Sequence, residues 1–204
     1  MKRLIIIGAG GHGRVIADMA EKLGCYKEIF FLDDANIKKS GGYVVLGKTK
    51  DYVSLLQNSE FIVAIGNADL RNKIQTELER NSARIATMIH PSAVIGGRTE
   101  IGAGTVVMAG VVINCDANIG KGVIINTSSS VDHDCVIGDF SHISVGARLA
   151  GNVKVGANSM ISAGATVINN IEICENVIVG AGAVVVKSIE KSGTYVGVPA
   201  KIKI

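Results

Sequence analysis

Two periods of apolar residues divide the chain. Up to about residue 88, short apolar runs alternate with amphipathic stretches. Leu4–Ile7, Ile29–Leu32 and Phe61–Ile65 have the length and composition of buried strands, while Val15–Leu23 and Leu70–Arg80 have the spacing and composition of helices. Strands alternating with helices predict a small parallel α/β unit, with Asn67 or Asp69 as the cap of its second helix.

After Pro91 a period of six takes over. Every sixth residue from Ile95 to Val185 is aliphatic, sixteen positions without a slip. Four residues after each stands a second restricted set, mostly Ala, Ser, Thr, Cys or Val, beginning Thr99, Thr105, Val111, Ala117 and Val123. In a helix six residues advance about 600°, so the aliphatic set would wander around the cylinder. A coil of short strands accommodates it: each hexad forms one side of a prism, the aliphatic residue fills the interior and the small residue sits where the corner is tight. Sixteen hexads amount to about five three-sided turns of a parallel β-helix. Tyr195–Ile202 breaks the period and is expected to leave the prism and cap its open edge.

The predicted domains are therefore 1–88, a Rossmann-like unit, and 89–204, a β-helix with a C-terminal tail. Composition narrows the function. The 204 residues are 48% hydrophobic, with 25 glycines and only Pro91 and Pro199 as prolines, which suits a globular chain rich in tight turns. A net charge of +3 without a basic run, and 4% aromatics, argue against nucleic-acid binding. Cys25, Cys115, Cys135 and Cys174 form no C-x-x-C pair and lie far apart, so they suggest neither a disulfide framework nor a thiolate zinc site and read as buried thiols. Leu4–Ile7 is too short for a signal-peptide core, and no apolar run reaches the ~20 residues of a membrane span. The expected location is the cytoplasm, with no membrane insertion.

The segment "IIIGAGGHGRVIADMA" carries G-x-G-x-x-G at Gly8, Gly10 and Gly13, between a predicted strand and a predicted helix. Such glycines let the backbone approach a diphosphate at the helix N-terminus, and an acid about twenty residues on, here Asp33 or Asp34, suits a ribose or base. About 88 residues are too few for a full dinucleotide fold, and only a β-helix follows. The loop therefore reports a nucleotide diphosphate rather than a nicotinamide cofactor.

Together with "GAGGHG", "FLDD" (residues 31–34), "AIGN" (64–67) and the ending "VGVPAK", the segment "NTSSSVDHDCVIGDFSHISVGARLAGNVKVG" resembles the PglD-type bacterial N-acetyltransferases of amino-sugar nucleotides. These lie within the NeuD-like hexapeptide acyltransferases, and the resemblance covers essentially the whole chain. It implies a left-handed parallel β-helix, a homotrimer with sites between subunits, and acetyl-CoA as co-substrate lying along the prism. The implied reaction is N-acetylation of a UDP- or dTDP-linked 4-amino-4,6-dideoxy sugar in glycan biosynthesis, with no metal. O-acetylation of sialic acid or a related sugar is the alternative.

By the same resemblance, Gly10, Gly11, His12, Asp33, Asp34 and Gly66 bind the sugar nucleotide. His133 is the general base, and Asp134 stands where the family usually carries a glutamate; Asp132 and Asp139 are rival partners for the ring. His142 lies near the thioester, backbone N–H groups around Gly151 polarise its carbonyl, and Ala163, Gly180 and Ala181 contact the CoA arm. Histidine suits the base because its reference pKa is about 6.5. Neither His133 nor His142 occupies an interior aliphatic position, so both are expected to face outward, whereas His90 beside Pro91 reads as structural. A zinc site of the β-helix carbonic-anhydrase type would need three converging histidines. A non-enzymatic trimeric scaffold is the remaining reading.

Overall fold

The structure, a computed structural model, describes residues 2–203, so Met1 and Ile204 lie outside the described residues. It divides into two compact units, Met1–Met88 and Ile89–Ile204.

The first unit runs β1 (Lys2–Ile7), α1 (Gly11–Leu23), β2 (Tyr26–Leu32), β3 (Lys39–Ser40), β4 (Tyr43–Gly47), a 3-10 helix (Thr49–Leu55), β5 (Ser59–Val63), α2 (Ala68–Arg80) and β6 (Arg84–Ile85). The sheet order is β3-β4-β2-β1-β5-β6, and all pairings except β3 with β4 are parallel. Strand β1 is central because Leu4, Ile5, Ile6 and Ile7 are all fully buried, the unbroken apolar run of a strand covered on both faces. The chain reverses direction across the sheet on either side of β1, leaving a crevice beyond the C-terminal ends of β1, β2 and β5. Both helices begin earlier than their apolar spacing predicts, since their first turns are held by backbone rather than by packing. The side chain of Asn67 caps α2 by accepting from Leu70 N at 2.9 Å. The β3–β4 hairpin and the 3-10 helix carry exposed Val44, Leu46 and Val53, a pattern with no clean period from which to predict them.

In the second unit the hexads contribute strands of two or three residues to three faces, and as far as Val167 each strand pairs in parallel with the strand eighteen residues on. The first face runs Val106–Val107, Ile124–Ile125, His142–Ile143, Met160–Ile161, Val177–Val179 and Gly193–Val196. The second includes Ser130–Val131 and Arg148–Leu149, and the third Val136–Ile137 and Lys154–Val155. Ile113, Ile125, Ile143, Ile161 and Val167 are fully buried inside, as the period predicts. The small polar set also stitches successive coils together. Ser141 Oγ donates to Gly156 O (2.8 Å) and accepts from Ser159 N (3.1 Å), and Cys135 Sγ does the same between Ala150 O and Val153 N (3.2 and 3.4 Å).

Three residues after each interior aliphatic from Ile95 to Val179 the backbone enters the left-handed region, which favours Gly, Asn and Asp. One corner carries Asp116, Asp134, Asn152 and Asn170 there, with φ between 57° and 61°. Six glycines meet this turn requirement (Gly104, Gly110, Gly122, Gly146, Gly164 and Gly182), and a second group, Gly96, Gly102, Gly138 and Gly156 among them, stands where a Cβ would come within 2.6 Å of the next coil's backbone. The C-terminal tail corrects one expectation. Gly193–Val196 stays on the first face as a further parallel strand, and Lys201–Ile202 then folds back antiparallel against it. The tail caps that sheet from within because its residues pair in register with Val177–Val179.

Candidate active site

In the first unit the glycine loop is set by close packing. A Cβ on Gly13 would lie 2.0 Å from Gly8 O, so the start of α1 sits tightly on the end of β1. Gly10 is the N-cap of α1 without a side-chain cap, and Gly10 and Gly11 face open space. The first N–H groups of α1 are therefore available to an anion.

Asp33, at the end of β2, accepts from Ala9 N through Oδ2 and from Ala35 N through Oδ1, both at 2.7 Å. Both oxygens thus serve the backbone, and Asp33 shapes the loop. Asp34 accepts from Thr49 N at 2.9 Å and lines a cavity of about 220 Å³ with Gly8, Asp33, Thr49, Ile65, Leu70 and Ile74. A neighbouring cavity of about 320 Å³ shares Asp34, Thr49, Leu70 and Ile74 and adds Lys50, Tyr52, Lys73 and Glu77. Sequence reasoning misses Thr49, Leu70, Ile74 and the two lysines. Only the i, i+4 spacing of Leu70 and Ile74 hints at a shared face. Gly66 is exposed at the end of β5, beside the same crevice. The His12 Nε2 is buried and has no hydrogen-bond partner among the described residues. Burial, and then the charge of Arg71, push its pKa down to about 4, so the ring is neutral at neutral pH.

In the second unit, His133 and Asp134 follow Val131 into the corner between the second and third faces. Interior placement of Val131 and the left-handed turn at Asp134 (φ 60°) leave both side chains outside, each more than half exposed. His133 Nδ1 and Asp134 Oδ2 are 2.7 Å apart. The aspartate therefore reaches the ring despite its short arm. Asp132 accepts instead from His133 N (2.8 Å) and Asn114 Nδ2 (2.6 Å), and Asp139 accepts from Lys121 N on another corner. The hydrogen bond to Asp134 holds the imidazole above its usual pKa, assisted by the charges of Asp132 and Asp116, the latter clamped by Arg98 at 2.6 and 2.7 Å. Gly151 lies one coil further on, against the ring.

His142 projects from the first face, with Nε2 3.1 Å from Asn126 Nδ2. An amide N–H can only donate, so His142 Nε2 accepts and the neutral ring carries its proton on Nδ1. Ala163, Gly180 and Ala181 fall on the corner between the first and second faces. The structure thus groups His133, Asp134 and Gly151 on one corner and His142, Ala163, Gly180 and Ala181 elsewhere around the prism. His133 and His142 are nine residues apart in an eighteen-residue coil, which places them on opposite sides. Among the described residues no three His, Cys, Asp or Glu side chains gather as metal ligands, and no helix is long and apolar enough to cross a membrane.

An α/β unit with an open helix N-terminus, followed by a three-sided β-helix with an exposed histidine–carboxylate pair, defines a hexapeptide-repeat acyltransferase architecture. Comparison with known proteins agrees. The PglD N-terminal domain family matches residues 3–78. The acetyltransferase domain of PglB from Neisseria gonorrhoeae, solved also with acetyl coenzyme A, superposes with a TM-score of 0.96 at 38% identity over 100% of both chains. PerB from Caulobacter crescentus, solved with CoA and GDP-perosamine, superposes with a TM-score of 0.94 at 37% identity, over 100% of this chain and 98% of that one. The UDP-N-acetylbacillosamine N-acetyltransferase of Bacillus subtilis is 37% identical over 113 residues, 53% of this chain and 52% of that protein, so the match spans about half the length of this curated relative. The chain belongs to the PglD-type family of hexapeptide-repeat acetyltransferases.

Proposed function

We propose that the protein transfers the acetyl group of acetyl-CoA to the amine of a nucleotide-linked 4-amino-4,6-dideoxy sugar, UDP- or dTDP-linked, in bacterial glycan biosynthesis. The observation that carries this reading is the 2.7 Å contact between His133 Nδ1 and Asp134 Oδ2 on an exposed corner. A carboxylate only accepts, so Nδ1 carries the proton and Nε2 presents its lone pair to solvent. The neutral amine attacks the thioester carbonyl carbon and a C–N bond forms. His133 Nε2 takes the proton from nitrogen, and backbone N–H groups near Gly151 hold the oxyanion. The intermediate collapses by C–S cleavage, and CoA leaves as the thiol with the proton that His133 held. No spacing places a cysteine as acyl acceptor, which supports direct transfer.

His133 and His142 lie on opposite sides of one prism. A site that uses both therefore draws on two copies, which supports a homotrimer with the sites between subunits. The first unit would hold the sugar nucleotide through the α1 N-terminus, His12, Asp34 and Gly66, with Asp33 shaping the loop. Four free cysteines support a reducing, cytoplasmic location.

The decisive experiment offers UDP-, dTDP- and GDP-linked 4-amino sugars and free sialic acid with acetyl-CoA, following thiol release. Turnover of a UDP- or dTDP-linked amine is expected, and turnover of the GDP-linked amine alone would overturn the choice of nucleotide. Turnover of sialic acid alone would overturn the reading in favour of O-acetylation, and turnover of none would overturn it outright.

A further inference from the structure

Among the described residues Arg71 is the bulkiest fully buried side chain, at 1% exposure. Taking a guanidinium out of water is costly, and at Arg71 burial lowers the pKa to about 10. A buried aliphatic residue would hold α2 on the sheet at lower cost, so the cation calls for another explanation.

Its bonds supply one. Arg71 lies in the second turn of α2, and its Nη1 reaches back to Ile65 O (2.8 Å) and Gly66 O (2.9 Å), two successive carbonyls of the β5–α2 connection. In a trans peptide the C=O and the following N–H point in opposite directions. With both carbonyls drawn inward, the N–H groups of Gly66 and Asn67 are turned outward. Both residues are exposed, and neither N–H meets an acceptor among the described residues. The side chain of Asn67 is engaged separately, capping Leu70 N. The same connection stands at the N-terminus of α2, whose dipole favours negative charge. The buried His12 Nε2 at the start of α1, also without a partner, is held neutral partly by Arg71.

Resting on the reading of the first unit as the sugar-nucleotide domain, we propose that Arg71 is a positioning residue of that site. It acts through the Ile65 and Gly66 carbonyls to fix the Gly66 and Asn67 N–H groups as a pair of donors for an anionic oxygen of a nucleoside diphosphate. Arg71 itself does not touch the ligand.

The test uses the full chain in three forms, wild type, Arg71→Lys and Arg71→Met, titrated calorimetrically with UDP, dTDP, GDP and acetyl-CoA well below each melting temperature. Wild type is expected to bind one of the nucleotides. Arg71→Met should weaken that binding about tenfold or more, and Arg71→Lys, which keeps a buried donor, should recover part of the loss. Acetyl-CoA affinity should stay within about twofold, because the residues proposed for it, His142, Ala163, Gly180 and Ala181, belong to the second unit. Equal nucleotide affinity in a folded variant would overturn the proposal, whatever happens to the melting temperature, and so would a parallel loss of acetyl-CoA affinity. If Arg71→Met does not fold, Arg71→Lys decides. Failure of wild type to bind any of the three nucleotides would instead refute the reading of the first unit, and this proposal with it.

Discussion

The imidazole of His133 rests against the backbone of Gly151, one coil further along the prism: a Cβ built on Gly151 would stand 2.5 Å from Nε2 and 2.6 Å from Cε1. Only glycine leaves room for the ring in this rotamer, in which Nδ1 meets Asp134 and the edge bearing Nε2 lies over Gly151. Gly151→Ala should therefore displace the ring without unfolding the coil, since Gly151 does not have a positive φ. The expected result is a fall in kcat of about tenfold or more from lost alignment. An unchanged melting temperature with an unchanged kcat would show that the ring tolerates the shift.

Asp134 sits in the left-handed corner position, which Asn also adopts, so Asp134→Asn should preserve the fold. The carboxylate raises the His133 pKa, and the base must be deprotonated to act. Activity is thus lost as pH falls through the raised value. Removing the carboxylate should move the acid limb of the kcat/KM profile to lower pH while lowering the plateau, because the amide no longer selects the tautomer. A limb that stays in place would mean that another acid governs the ring.

His133→Ala should lower turnover by about 10²–10⁴ while leaving nucleotide affinity unchanged. His133→Ala and His142→Ala variants, each expected to be weakly active alone, offer a sharper test when unfolded together and refolded as mixtures. If each site takes His133 from one copy and His142 from the next, random mixing restores about a quarter of the wild-type sites. A site confined to one chain predicts no recovery, and sedimentation at three times the chain mass checks the assembly.

His12 makes the first unit acid-sensitive. Its folded pKa of about 4 lies below the ordinary 6.5, so the unfolded chain binds the proton more readily. The resulting stability is fully present above pH 6.5 and is lost as pH falls towards 4. The loss is about 3 kcal/mol at most. Urea denaturation at pH 7 and pH 4 should show a smaller acid loss for His12→Asn than for wild type. Equal losses would place the acid sensitivity in other groups.

How much of this is legible in the sequence follows from the range of the forces involved. The β-helix repeats one local environment every six residues, so its interior, from Ile95 to Val185, and the outward placement of His133 and His142 can be read directly from spacing. Strands β1, β2 and β5, both helices and the pair of cap candidates Asn67 and Asp69 are legible in the same way, because each depends on neighbours within a few positions; the choice of Asn67 is made by the structure. The reach of Asp134 to the imidazole is not, since it depends on the corner's backbone angle rather than on side-chain length alone. Nor is the diversion of Asp132 to Asn114, eighteen residues away, or of Asp33 to Ala9 and Ala35. Thr49 and Ile74 come to one cavity from elements with no shared period. Sequence alone determined which aliphatic residues of the coil lie inside and which polar ones stand at its corners, because burial and turn geometry act locally, but it did not place the cysteines, of which Cys25 is exposed and only Cys135 is buried. Tertiary structure decided which polar groups are spent on backbone and which remain for a ligand, because hydrogen bonds are short and directional and their partners come from distant parts of the chain.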